Sequence, residues 1–200
     1  MALAHPDTRR YTYADLAGFP ADRLRREIID GELIVTASPV VRHQMVSSNI
    51  HHFLFAYATG RGGLVLAAPM DVVLSEDNVV EPDLLFVAGD PADQADKSYI
   101  GQAPDLVVEI SSPSTRRLEL VRKRELYQRY RVPEYWYVDL EADRVEVYVL
   151  SGDAYPAPEM LYPGQTLQSS RLAGFVMPLD EVLALDPPIR MRRNRVTEDD

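Results

Sequence analysis

Apolar positions along the chain change period several times, and each change marks an element. Between His43 and Ala58 the residues Val46, Ile50, Phe53, Leu54 and Tyr57 recur at helical spacing, which predicts a helix closed by the glycine-rich stretch 60–63. Tyr11 to Arg26 reads as an earlier helix with Thr12 as its N-cap. After the turn signal Asp30-Gly31, the run Glu32-Leu33-Ile34-Val35 reads as a strand that Ser38-Pro39 ends. Short β-favouring runs predict further strands at Leu64–Ala67, Met70–Leu74, Asp83–Val87, Asp105–Ile110, Tyr135–Leu140 and Arg144–Leu150. The polar stretch 88–102 reads as a surface loop. A helix capped by Ser114 or Thr115 runs to Tyr130, and Leu179 to Leu185 reads as a last short helix. The sum is an α/β fold, a mixed central β-sheet flanked by helices.

Composition narrows this picture. A chain of 200 residues that is 46% hydrophobic and 26% charged fits one soluble domain over 1–200. Residues 10–150 carry the regular pattern, 151–190 form a C-terminal extension broken by Pro156, Pro158 and Pro163, and 191–200 read as a frayed tail. The absence of cysteine excludes disulfides and thiolate-ligated zinc or iron–sulfur sites. No apolar run approaches the roughly 20 residues of a membrane span, and Met1 to Arg10 lacks the apolar stretch of a signal peptide, so no membrane and a cytoplasmic address are expected.

The formal net charge of −10 counts against a broad nucleic-acid-binding surface. The charge is uneven, however. From Arg116 to Arg131 there are seven basic residues against two acidic ones, a local balance of +5. Arg23, Arg25 and Arg26 form a smaller basic group, and Arg190, Arg192, Arg193 and Arg195 another. Such patches either contact a polyanion locally or are solvated helix faces and a basic tail.

Chemistry is suggested by two strand-like segments, Glu81-Pro82-Asp83-Leu84-Leu85-Phe86-Val87 and Pro104-Asp105-Leu106-Val107-Val108-Glu109-Ile110. Each sets a carboxylate inside an apolar run, where an unpaired charge is costly to bury. Strand alternation puts Asp83 with Leu85 and Val87, and Glu109 with Val107 and Asp105. Neighbouring strands in register would bring Asp83 and Glu109 together, and a divalent cation with oxygen ligands is their simplest shared partner. Asp105, at a strand start after Pro104, suits a rim or cap position equally well.

On the following helix Lys123 and Glu119 fall in the middle of the side that carries Leu120, Leu126, Tyr127 and Tyr130. Lys123 there either snorkels to the surface or pairs with the inward carboxylates. Glu119, one turn earlier, either neutralises Lys123 or joins the site. An Asp, a Glu and a Lys around one cation suit phosphodiester hydrolysis by a metal-bound water. Two clustered carboxylates also repel, which predicts a raised pKa for at least one and a metal-free protein stabilised by Asp83→Asn. His43 at its helix start and Glu32 at its strand start are weaker candidates for support, each equally suited to solvent. Tyr135, Trp136 and Tyr137 read as a buried strand, and Asp139 as a turn residue.

Several of these segments together resemble a known family. They are Pro82-Asp83, the run from Pro104 through Glu109-Ile110-Ser111-Ser112-Pro113-Ser114-Thr115, Lys123-Arg124-Glu125-Leu126-Tyr127, and Val132-Pro133-Glu134-Tyr135-Trp136-Tyr137-Val138-Asp139. The chain is similar over about residues 10 to 150 to the small bacterial family of putative restriction endonucleases, within the PD-(D/E)XK nuclease superfamily. Tyr11-Thr12-Tyr13-Ala14-Asp15-Leu16, Asp30-Gly31-Glu32-Leu33 and His43 opening a helix match its pattern too.

The resemblance implies a restriction-endonuclease-like core in which Asp83, Glu109 and the Ile110 carbonyl hold Mg²⁺, with Mn²⁺ as a substitute. Asp83, Glu109 and Lys123 would then be the catalytic residues, and Glu32, His43 and Glu119 their support. The chain departs from the superfamily pattern at Ser111, where a Lys is usual; Lys123 on the next helix would have to take that place. The resemblance also implies DNA as substrate and a homodimer with one site per strand. The rival reading is a non-catalytic nucleic-acid- or protein-binding member of the same fold, favoured by the net charge and the displaced Lys. A metal-dependent hydrolase of a small phosphate ester is a third.

Overall fold

The computed structural model describes residues 9–20, 22, 24–111 and 118–184. In chain order the elements are α1 (Tyr13–Leu16), β1 (Arg25–Ile29), β2 (Glu32–Thr36), α2 (Val41–Ala58), β3 (Leu64–Ala67), β4 (Val72–Ser75), β5 (Asn78–Val80), β6 (Leu84–Val87), β7 (Leu106–Ile110), α3 (Arg124–Arg129), β8 (Glu134–Asp139), β9 (Arg144–Val149), β10 (Glu159–Leu161), β11 (Thr166–Gln168), β12 (Val176–Pro178) and α4 (Leu179–Leu183). A six-stranded mixed sheet runs in the order β10-β9-β8-β7-β6-β3, and a four-stranded sheet in the order β2-β1-β5-β4. Strands β11 and β12 form a separate antiparallel hairpin.

One pair in the larger sheet, β7 with β8, is parallel, with Val107 opposite Tyr135 and Glu109 opposite Tyr137. A parallel pair cannot be closed by a tight turn and requires a crossover. Its described part is a π-helical turn, Leu118–Lys123, that runs directly into α3. Such i→i+5 turns are uncommon and gather at functional sites. This one carries Lys123 to the sheet. The expected caps of this helix, Ser114 and Thr115, lie outside the described residues.

Two apolar clusters cover the two faces of the larger sheet. On one, Val46, Ile50 and Leu54 of α2 meet Leu84, Phe86, Leu106, Val108, Trp136 and Val138, together with Leu167, Phe175, Met177 and Val182 from the C-terminal segment. On the other, Leu126 and Tyr127 of α3 meet Leu85, Val87, Val107, Tyr135 and Tyr137, with Ile29, Val72 and Val80 from the smaller sheet. The alternation of inward residues along β6, β7 and β8 therefore feeds both faces at once, as expected of strands buried on both sides. Truncating a fully buried member such as Leu54 to Ala is expected to cost about 2–5 kcal/mol in urea unfolding.

The N-terminal region differs from its expected helix over Tyr11–Arg26. Helix α1 starts where predicted, with the Thr12 N–H donating to the Asp15 carboxylate at 2.8 Å. It ends at Leu16, and Gly18 and Pro20 follow at once. The chain then enters β1, which folds back on β2 through Asp30 and Gly31, both with positive φ (53° and 76°). A two-residue turn with both φ positive matches the twist of an antiparallel hairpin, and it requires residue types like these. Strand β5, three residues long, was not expected from the pattern.

The C-terminal segment is clasped to β8. Glu134, fully buried, accepts hydrogen bonds from Trp136 Nε1 (2.6 Å), Ser169 Oγ (3.1 Å), Ser170 N and Oγ (3.1 and 2.9 Å) and Arg171 N (3.2 Å). With several donors on it, the carboxylate offsets the penalty of burying a charge. Residues 185–200, including the expected tail, lie outside the described residues.

Candidate active site

Asp83 stands at the mouth of β6, just before the first paired residue. Leu84 lies opposite Val108, so one further step of this antiparallel register sets Asp83 beside Glu109. Its position before the strand explains why its carboxylate is reached from both layers. Oδ2 accepts the Ile110 N–H at 2.7 Å and lies 3.1 Å from His43 Nε2 of α2, while Oδ1 accepts from the Arg25 guanidinium of β1 at 2.8 Å. Burial raises the Asp83 pKa, but the His43 hydrogen bond and the Arg25 charge outweigh it and hold the pKa down at about 2.

Glu109 is in the opposite condition. It is fully buried in the middle of the sheet, and its Oε1 accepts from Lys123 Nζ (2.9 Å) and Tyr127 Oη (2.6 Å). Lys123, 1% exposed, also lies 2.7 Å from Glu27 Oε1 of β1, which accepts the Glu81 N–H at 2.8 Å as well. Glu109 Oε2 is buried and has no hydrogen-bond partner among the described residues. Burial first, and then the charges of Asp83 and Glu27, push Glu109 up to about 7 against the pull of Lys123. Glu81 is raised to about 6, and Asp71 is raised, both mainly by burial.

A raised carboxyl pKa has a fixed consequence for stability. Between pH 4.5 and 7 the folded chain holds a proton on Glu109 that the unfolded chain has lost, so this contribution is full below about pH 4.5 and disappears as pH rises through 7. The urea stability of the wild type is expected to fall by a few kcal/mol relative to Glu109→Gln between pH 5 and 8, about 1.4 kcal/mol per pKa unit. A difference that stays flat over that range would contradict this assignment. Asp83 acts at the other end: its contribution is present above pH 3.8 and is lost as pH falls through about 2.

The structure thus brings Asp83, Glu109, Lys123 and His43 into one cluster with the Ile110 backbone. It does not bring in Glu32. That residue lies on β2, 67% exposed at its side chain, and pairs with Arg122 at 3.0 Å. Glu119 lies in the π-helical turn, with its side chain outside the described part of the structure. Asp105 caps the strand end, accepting the Ala88 N–H at 2.7 Å. Three participants were not read from the sequence: Arg25, Glu27 and Tyr127. The signal for the first two was the Asp30-Gly31 hairpin turn, which implies a strand on both of its sides.

One sequence expectation is reversed. Asp83 does stand beside Glu109, whose pKa it helps to raise, but it is also the acceptor for Arg25, His43 and Ile110. Its removal in the metal-free protein is therefore expected to destabilise it, because it leaves a partly buried guanidinium without its carboxylate.

No group of three or more acidic or histidine side chains among the described residues forms a ready metal cage. The donors that do meet are nonetheless suited to a hard cation. Asp83, Glu109 and the adjacent Ile110 carbonyl are all oxygen ligands. Three buried acids, Glu27, Asp83 and Glu109, face the cations Lys123 and Arg25. Once Glu109 gives up its proton, negative charge is left over, and its buried Oε2 has no hydrogen-bond partner among the described residues.

Among the described residues, most basic side chains of the groups noted in the sequence are engaged in internal contacts, while Arg23, Arg116, Arg117 and the group from Arg190 to Arg195 lie outside them. Arg122 holds Glu32, Arg129 holds Asp30, Arg131 holds Asp153 and Arg26 holds Asp22, while Arg124 lies over the Tyr148 ring. Among the described residues no helix is long and apolar enough to cross a membrane.

A family model named Uma2 and described as "Putative restriction endonuclease" matches residues 11–180. Among solved structures, the fold is similar to that of a putative nuclease belonging to DUF820 from Anabaena variabilis ATCC 29413. The TM-score is 0.71 at 16% sequence identity, covering 86% of this chain and 97% of that chain. At that identity the likeness speaks for the fold. No curated protein matches the chain.

Proposed function

Because this chain belongs to the Uma2 family of putative restriction endonucleases, we propose that it is a Mg²⁺-dependent endonuclease that hydrolyses DNA phosphodiester bonds with water as the nucleophile. The observation that carries this reading is the meeting of Asp83, Glu109 and Lys123 in one buried cluster with a carboxylate oxygen to spare. Asp83, Glu109 and the Ile110 carbonyl would hold Mg²⁺, or Mn²⁺ in its place. The bound ion would polarise the phosphoryl oxygen and make a coordinated water acidic.

The remaining work falls to this chain's own groups. Lys123 is held between Glu109 and Glu27, where its ammonium can orient the water and offset charge growing on the phosphate. Tyr127 donates to Glu109 Oε1 and fixes that carboxylate's rotation, leaving Oε2 as the oxygen that would hold the ion. His43 does the same for Asp83 Oδ2. The enzyme would act in the cytoplasm as a C2 homodimer, with one site for each DNA strand.

Mg²⁺ must compete with the Glu109 proton, so metal binding is expected to strengthen with pH. The gain is about tenfold per unit below 7, levelling above it, because a ligand must be deprotonated to bind. Thermal protection by Mg²⁺ measured from pH 5.5 to 8 tests this. Protection without pH dependence would place the ion elsewhere. The function itself is tested by plasmid nicking with Mg²⁺ beside duplex binding with Ca²⁺. Binding without any nicking would favour the rival reading, a non-catalytic binding protein on this fold. The Arg25–Asp83 pair, which covers a proposed metal ligand, is the observation on that side.

A further inference from the structure

We propose that Arg25 is an exchangeable guanidinium: it rests on Asp83 Oδ1 in the metal-free protein, yields that oxygen to the cation, and then takes a non-bridging oxygen of the DNA phosphate in the cavity beside α2. The inference deepens the nuclease reading and rests on Asp83 and Glu109 being the cation's ligands.

The occupancy of Asp83 favours the exchange. Oδ2 already takes two donors, Ile110 N and His43 Nε2, so the oxygen left for an ion is Oδ1. Arg25 sits on that oxygen at 2.8 Å. A dication bound there would face a guanidinium across a single oxygen in a largely buried site, where like charges repel. The repulsion favours the departure of one of the two cations, and the dication, which would be held by Asp83 and Glu109 together, is the one to stay.

The surroundings show where the guanidinium goes. The Arg25 side chain is 20% exposed, so it is not locked in the core. It borders two open cavities. One, about 310 Å³, carries the acids Asp22 and Glu81. The other, about 270 Å³, runs along α2 and presents Gln44, Ser47, Ser48 and His51, with Asp83 the only acid among its described lining residues. Hydroxyl, amide and imidazole groups can all donate to an anion. A guanidinium released from Asp83 needs a new planar anion, and phosphate accepts it through two parallel hydrogen bonds. The α2 cavity is therefore the phosphate subsite, and its occupant completes the charge balance that the cation began.

The test uses the full-length chain with Mg²⁺ alone in titration calorimetry, and a DNA duplex with Ca²⁺ in an anisotropy titration. Arg25→Gln is expected to tighten Mg²⁺ about tenfold and to weaken duplex binding about tenfold, by removing one competing charge and one bidentate phosphate contact. Arg25→Lys keeps a cation but not the planar fork. It is expected to leave Mg²⁺ affinity within about threefold and still weaken the duplex several-fold, and it carries the test if Arg25→Gln fails to fold. Unchanged or weaker Mg²⁺ binding in a folded Arg25→Gln would overturn the exchange while Asp83→Asn still abolished metal binding. Unchanged duplex affinity in Arg25→Lys would overturn the phosphate contact. If Asp83→Asn and Glu109→Gln both leave wild-type Mg²⁺ affinity intact, the cation site itself is wrong, and the exchange falls with it.

Discussion

Replacing Lys123 with methionine is expected to lower Mg²⁺-dependent plasmid nicking about 10²-fold or more, while duplex affinity in Ca²⁺ changes by less than about tenfold. The split follows from where the ammonium sits. It is 1% exposed and held at 2.7 and 2.9 Å by Glu27 and Glu109, so it adds almost nothing to the surface potential that attracts DNA. What it supplies is charge at the point where negative charge grows in the reaction. Methionine keeps most of the volume, which limits cavity formation. It does not keep the pairing, and Glu27 and Glu109 are left with less positive charge between them, at a cost of about 3–5 kcal/mol in urea unfolding. A variant that cuts like the wild type would show that another residue activates the water, with Glu119 and His43 next in line. A wild type that never cuts, with a variant that only binds more weakly, would establish the non-catalytic reading.

Asp83→Asn is expected to lose both metal protection and stability. The carboxylate ties together three separate parts of the chain: Arg25 on β1, His43 on α2 and Ile110 N on β7. An amide cannot accept from all of these donors, and it leaves the partly buried guanidinium uncompensated. A loss of about 3–5 kcal/mol in urea unfolding is expected, as for a broken buried ion pair. Mg²⁺ should then raise the melting temperature of the wild type but not of this variant. A variant as stable as the wild type that keeps its Mg²⁺ response would remove Asp83 from both roles.

The central sheet was legible because β6, β7 and β8 are buried on both faces and read as unbroken apolar runs. Their inward acids stand out for the same reason. Lys123 was legible from helical spacing, since with Glu119 it falls in the middle of a face otherwise made by Leu120, Leu126, Tyr127 and Tyr130. Arg25 and Glu27 were not, because the apolar residues of Tyr11 to Arg26 also fit a helix. What decides between the two is not periodicity but the backbone: Gly18 and Pro20 end α1, and the paired positive φ values at Asp30 and Gly31 demand a hairpin. Tyr127 was read as core, which it is. Its hydroxyl on Glu109 depends on the crossover's exact rotation, which spacing does not fix. Glu32 looked equivalent to the other strand acids, but β2 is the outer strand of the smaller sheet and turns it to solvent and Arg122.

The clasp on Glu134 bears on how far this fold can be shortened. The strand that carries it, β8, lies directly beside β7 and its Glu109. Cutting the chain after residue 150 would take away Ser169, Ser170 and Arg171, four of the five hydrogen bonds on a fully buried anion. It would also strip Leu167, Phe175, Met177 and Val182 from the layer over Trp136 and Val138. The segment beyond residue 150 is thus the lid of the hydrophobic box rather than an appendage. A relative or a designed miniature that dispensed with it would need two changes at once: an apolar residue at position 134 and a new cover for Trp136.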